Sequence, residues 1–161
     1  MPRPDGEPHL VPSVLDRLID YDPGVSIEPG EAPLGSLSRL KAAVRRDLEW
    51  LLNTKRLLVE IPSGASQARD SVLTYGLPDF THASFGLLND QSELRRVIEE
   101  AVRRFEPRLS AVVVTLLEGQ ANERSVRFRI DGVLDVDPSP EAVTFDSLLQ
   151  LPTHAIAVQD A

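Results

Sequence analysis

The chain has no cysteine, which excludes a disulfide framework, a thiolate metal site and a cysteine nucleophile. Aromatic residues are few, with one Trp, two Tyr and five Phe among 161 residues, so platforms for stacking ligand rings are scarce. Histidine is confined to His9, His82 and His154, far apart and in no H-E-x-x-H or comparable spacing, and no metal site is expected. There is no G-x-G-x-x-G, P-loop or G-x-S-x-G, which removes the common nucleotide and hydrolase fingerprints and leaves no cofactor implied. Ser38-Arg39-Leu40-Lys41 fits a Ser-x-x-Lys motif, but its Ser-Asp-Asn and Lys-Thr-Gly companions are missing, and Ser38 falls on the solvated side of a helix.

Long apolar runs are also missing. The longest, Ala111 to Leu117, is too short to span a bilayer, and Met1-Pro2-Arg3-Pro4-Asp5-Gly6 leads into no apolar core of a signal peptide. A soluble, cytoplasmic protein without direct membrane insertion is expected. The formal net charge of −8 opposes binding to nucleic acid, whose affinity rests on neutralising phosphates. The partner is therefore expected to be protein. Lys41 and Lys55 are the only lysines, so nearly all positive charge is arginine; this suits bidentate carboxylate contacts at interfaces, but genome composition is the better explanation.

What is present fits one domain of a size that buries a core without staples. Pro2, Pro4, Pro8 and Pro12 make residues 1–12 a loose arm, and Ser13 caps a short helix with Val14, Leu15, Leu18 and Ile19 on its apolar face. Pro23, Gly24, Pro29, Gly30, Pro33 and Gly35 then mark a surface linker that lets the short helix dock away from the body. Residues 1–35 are thus read as a flexible arm with a short helix and linker, and 36–161 as the folded domain. Ser36 caps a long helix over 36–53, with Leu37, Leu40, Val44, Leu48, Leu51 and Leu52 as its core stripe. Trp50 falls off that stripe, beside Arg39, Ala43 and Arg46, and is either covered by a second layer of the chain, which is the expectation, or offered to a partner. Leu57 to Ile61 predicts a short strand, and Ser71 to Tyr75 a turn of helix closed by Gly76 and Pro78.

Leu94, Val97, Ile98, Ala101 and Phe105 recur at helical spacing, with Arg96, Glu99, Glu100 and Arg103 opposite. Asp90 and Glu93 form a capping box for this helix over 91–105, and Glu99 with Arg103 and Glu100 with Arg104 support its solvated face. Pro107 lacks an amide hydrogen and disfavours helical geometry at Glu106, so the helix ends near Phe105 and fixes Glu106 and Arg108 at its mouth. The strand over 110–118 is apolar on both faces, which implies a central position. Gly119 to Arg124 turn the chain into a strand over 125–136, where Val126, Phe128, Ile130, Leu134 and Val136 alternate with Arg127, Arg129, Asp131, Asp135 and Asp137. Pro138 and Pro140 end it, and Val143-Thr144-Phe145 and Ala155 to Val158 add short strands. Helices followed by a mostly antiparallel sheet make the class α+β in a single domain.

Glu106-Pro107-Arg108, between an amphipathic helix and a strand, resembles the Glu-Pro-Arg signature of baseplate wedge proteins in contractile injection machines. These are the TssE subunit of type VI secretion systems and its counterpart in contractile-tailed phages. Ser13-Val14-Leu15-Asp16-Arg17-Leu18, Arg46-Asp47-Leu48-Glu49-Trp50-Leu51-Leu52-Asn53-Thr54 and Ser71-Val72-Leu73-Thr74-Tyr75-Gly76-Leu77-Pro78-Asp79 agree with it in order and spacing. The first of these looks more like the secretion branch; Lys55-Arg56 departs from the pattern, in which Arg comes first. The resemblance implies a non-enzymatic subunit of a membrane-docked baseplate that contacts other wedge subunits and contractile sheath proteins and helps to initiate the sheath. It also implies that Glu106, Pro107 and Arg108 act at a protein interface. Strand 125–136, or the one holding Val143, Thr144 and Phe145, is expected at a sheet edge, where unpaired amides and carbonyls can template a strand of another chain.

The enzymatic alternative is a lysozyme-like, peptidoglycan-cleaving glycosidase, a label that relatives of the family have carried. Such an enzyme needs two carboxyl groups about the scissile bond, one of them with a raised pKa. Only Glu106 has a special position, and Arg108 beside it favours the ionised form, the wrong direction for a general acid.

Overall fold

A stripe of apolar residues along each of two long helices, and an alternation along each of four strands, meet in one core. The computed structural model describes residues 13–19, 23–24, 37–57, 59–79, 88–117 (88–90 as backbone), 125–136, 139–150, 153 and 155–160. The Ser36 cap, the arm over 1–12, the turn over 119–124, Pro138 and the three histidines lie outside the described residues. Helices α1 (Val14–Leu18), α2 (Leu37–Asn53), α3 (Ser66–Arg69) and α4 (Leu88–Phe105) precede strands β1 (Leu109–Leu117), β2 (Ser125–Leu134), β3 (Glu141–Gln150) and β4 (Ala155–Asp160). The class is α+β, and the four strands form one antiparallel sheet in chain order.

Both long helices lie on one face of the sheet, α4 against β1 and α2 against β4. Val44, Leu48, Leu51 and Leu52 of α2 and Leu94, Ile98, Ala101 and Val102 of α4 meet Val112, Val114, Phe128, Ile130, Phe145, Leu149, Ile156 and Val158 in the buried core. Helix α4 begins at Leu88, so Asp90 lies inside the helix instead of ahead of it. Its side chain lies outside the described residues.

The strand predicted as central is an edge. β1 pairs only with β2 among the described residues, and its burial alternates, with Val112 and Val114 inside and Val113 50 % exposed. An unbroken apolar run reads as a strand buried on both faces, but here one face meets α4 and the other carries Val113 outward. One extra residue in β1 shifts its register between Ser110 and Val113, and Ala111 takes a left-handed φ of 50° there, a β-bulge. Strand β2 is interior, flanked by β1 and β3.

Residues 57 and 59–61 form no strand. Leu57 is 66 % exposed and Val59 44 %, so little apolar burial supports a ladder there. The chain instead makes one parallel bridge between Lys55 and Leu77, in which the Leu77 amide donates to the Thr54 carbonyl at 2.8 Å and the Arg56 amide to the Leu77 carbonyl at 2.7 Å. Gly76, with φ of 100°, makes this approach possible, because a Cβ there would stand 2.2 Å from the Thr54 carbonyl oxygen. The turn of helix expected over 71–75 is a 3₁₀ turn over Val72–Thr74 with Ser71 as its cap.

Candidate protein-interaction site

Helix α4 closes with the Glu106 amide donating to the Val102 carbonyl at 2.9 Å, and the Leu109 amide closes the Pro107 turn on the Glu106 carbonyl at 3.1 Å. The backbone therefore holds Glu106 and Arg108 on one side of the corner. Glu106 is 3 % exposed, and a carboxylate so placed needs charged donors. Arg108 provides them: its amide donates to Glu106 Oε1 at 3.3 Å, its Nε to the same oxygen at 2.6 Å, and its terminal nitrogen to Oε2. This is the bidentate pairing that only arginine can make. The same terminal nitrogen reaches Asp47 on α2, which ties the corner to the first long helix. Burial works against the Arg108 charge, but Glu106 and then Asp47 outweigh it and hold the guanidinium protonated beyond its ordinary range.

Two further charges complete the cluster. Arg46 donates to Asp47 Oδ1 at 2.9 and 2.7 Å and to Asp16 of α1 at 2.7 Å, while Asp16 Oδ2 lies 3.9 Å from Arg108. Asp16 also forms the capping box with Ser13 that starts α1. Its burial raises the pKa, but the Ser13 hydroxyl and Arg46 outweigh that and lower it below the usual carboxylate value. The short helix thus sits on the body at this corner, not away from it, because Asp16 finds a guanidinium there.

Trp50 stands beside the cluster, with the Arg46 guanidinium 5.0 Å from its ring centre. It is 48 % exposed, so the cover expected from a second layer is incomplete. Tyr75 packs edge-on against Phe105 at 5.2 Å, and its hydroxyl pKa is raised by burial and then by Asp47 and Glu106. Ser13, Leu15, Trp50, Tyr75 and Phe105 line one recess that opens over Glu106, Pro107 and Arg108.

Val143, Thr144 and Phe145 lie two strands across the sheet from this corner, towards the same end, since Leu109 pairs with Leu134 and Leu134 with Glu141. They pair with Gly132, Asp131 and Ile130 of β2, with the Val143 and Phe145 side chains in the core and the Thr144 hydroxyl donating to Asp131 at 2.7 Å. On the other flank β4 pairs with β3 from Phe145 to Gln150, so residues 141–144 have no β4 partner among the described residues.

A family model for baseplate wedge protein gp25 matches residues 38–139, more than half of the chain. The chain belongs to the gp25 baseplate wedge family. This is the family of TssE in type VI secretion and of phage baseplate proteins, and it is a structural one. No curated protein matches the chain. The gp25 match contains Arg46, Asp47, Trp50, Glu106, Pro107 and Arg108, and leaves out α1, β3 and β4. The union of Asp16, Arg46 and Asp47 with the Glu-Pro-Arg corner is a finding of the structure. All three stand in the blocks that resemble the family, yet separations of 61 residues between Asp47 and Arg108 and 30 between Asp16 and Arg46 carry no periodic signal.

Proposed function

We propose that this chain is a non-enzymatic type VI secretion baseplate subunit that joins the wedge to the contractile sheath and helps to start sheath assembly. Family membership supports the baseplate part of this reading, and the block from Ser13 to Leu18, outside the matched residues, supports the secretion branch. In the division we propose, residues 1–35 form an arm with a short helix and 36–161 the wedge domain. Its place is the cytoplasmic side of a membrane-docked assembly; no helix among the described residues is long and apolar enough to cross a membrane. Both carboxylate oxygens of Glu106 are engaged by Arg108 within the chain, which supports a structural role over a lysozyme-like one, where two carboxyl groups must flank the scissile bond. Instead Glu106, Pro107 and Arg108, with Trp50 beside them, form a pre-shaped face for a neighbouring wedge subunit.

The observation that carries the sheath contact is the run Glu141–Thr144, which has no β4 partner among the described residues and whose backbone donors and acceptors can template another strand. Alternation across the ladder picks the residues that face it. The Val114 amide points off the outer side of β1, so its partner Ile130 faces β3, Phe145 faces β2, and Ala142 and Thr144 face the open side. Proline at Val143 or Phe145 would break the β2 ladder and the core; proline at Ala142, which is exposed, removes a donor from the open side alone. Ala142→Pro should therefore keep the thermal midpoint within a few degrees and abolish recruitment of sheath subunits to purified baseplates. Unchanged recruitment would sink this account of the sheath contact.

A further inference from the structure

We propose that α2 and α4 each carry a side-chain substitute for a strand, Asn53 on β4 and Glu99 with Arg103 on β1, and that these caps close both outer edges of the sheet to pairing with another copy of this chain. The β1 cap is built on one helical turn. Glu99 Oε1 accepts the Val114 amide at 3.0 Å, Arg103 donates to the Val112 carbonyl at 2.6 Å, and the two side chains pair at 3.3 Å. A donor to one carbonyl and an acceptor for the amide two residues on are what one residue of a flanking parallel strand would offer. At β4 the Asn53 side chain does the antiparallel equivalent: its Nδ2 donates to the Ile156 carbonyl at 2.7 Å and its Oδ1 accepts the Ile156 amide at 2.9 Å. The Ala111 bulge bends β1 at the same edge, a second device against strand addition.

Edges need such closure because an uncapped row of amides and carbonyls pairs with any exposed strand, including a second copy. Val113, half exposed between the two capped groups, is the residue such a copy would meet. The inference goes beyond the sheath reading and stands whether or not that reading holds. It restricts where a second copy can add a strand: the outward groups of Val112, Val114 and Ile156 are taken, whereas Glu141–Thr144, beyond the Asp160 end of β4, have no such cap among the described residues.

The cysteine-free chain gives a direct test. Thr115→Cys on the exposed side of β1 reports a β1 to β1 contact by disulfide formation, and Ala157→Cys reports β4. Glu99→Ala with Arg103→Ala should raise cross-linking through Thr115→Cys at least tenfold over the capped chain at equal concentration, and speed exchange of the Val114 amide at least tenfold. Glu99→Gln, which keeps an acceptor, should leave both near the starting value. Asn53→Ala should raise cross-linking through Ala157→Cys in the same way. Circular dichroism confirms that each variant is folded, and because Glu99 and Arg103 sit on the outer side of α4, their loss is not expected to unfold it. Cross-linking and exchange that stay within twofold of the capped chain in the folded Glu99→Ala, Arg103→Ala variant would overturn the proposal.

Discussion

Helices α4 and α1 are held to the same body by opposite means. α4 buries Leu94, Ile98, Ala101 and Val102 against the sheet, each large side chain contributing about 1.5–3 kcal/mol of transfer free energy. α1 buries none of its five residues; Val14 and Leu18 are 73 % and 75 % exposed, and its ion pairs to the body run through Asp16 to Arg46 and Arg108. Apolar burial depends little on pH or salt, whereas a carboxylate held by two guanidinium groups depends on both. The contrast separates a permanent attachment from a conditional one. The Glu-Pro-Arg corner stands between them, at the end of the first and under the second.

The largest break in this contrast is Ile98→Ala, which opens a cavity between α4 and the sheet. It should cost about 2–5 kcal/mol of global stability in urea unfolding, and a loss under about 1 kcal/mol would contradict the packing described. Next is Glu106→Ala, which leaves Arg108 short of its main partner. Because Arg108 keeps Asp47 and is about a quarter exposed, the cost should fall near the low end for broken buried pairs, about 3 kcal/mol. Glu106→Gln, which keeps an acceptor, should cost less by the same assay.

Asp16→Asn sharpens the contrast from the other side. Global stability should change by less than about 1 kcal/mol, since no apolar area is lost, but α1 should exchange its amides freely while α4 stays protected. Emission from the lone Trp50, in the recess shared with Ser13 and Leu15, should move to longer wavelength. An unchanged α1 exchange pattern would show that something other than Asp16 holds the helix. The smallest effect is on pH. Asp16 has a folded pKa below its ordinary value, so its contribution is complete above the unfolded carboxylate pKa and is lost as pH falls through the lowered one. Acid titration followed by Trp50 emission should show α1 leaving before α4 unfolds, and the Asp16→Asn chain should lack that first step.

The contrast was half visible in the sequence. The apolar stripe that docks α4 repeats every three or four residues, and the stop at Pro107 is a local steric effect, so the helix, its end and the pairing of Glu106 with Arg108 all follow from neighbours in the chain. β2 was legible for the same reason, through its strict alternation. Strand order was not: β1 and a central strand share the same apolar run, and what marks the edge is the pair of bonds from α4 side chains to the Val112 carbonyl and the Val114 amide. Helical spacing gives Glu99 and Arg103 as a solvated pair, and they are paired, but their second bonds to β1 have no trace in that spacing. The cluster of Asp16, Arg46, Asp47 and Arg108 joins three separate segments, and no local pattern encodes such a meeting.

The order of the sheet also bears on how the chain reaches this state. Each strand pairs with its neighbour in sequence, so the hairpins can close over short loops and at small entropic cost. The exception is α2 on β4, joined by the Asn53 bonds to Ile156 across 103 residues and by Arg45 to Asp160 across 115. We expect this closure to come last, so that Asn53→Ala should speed unfolding while leaving the folding arm of the kinetic chevron nearly unchanged. During synthesis, the final turn of α2 then waits for the 103 residues up to Ile156 before it finds its partner, and until that moment the hairpins already formed have one helix and an uncovered flank.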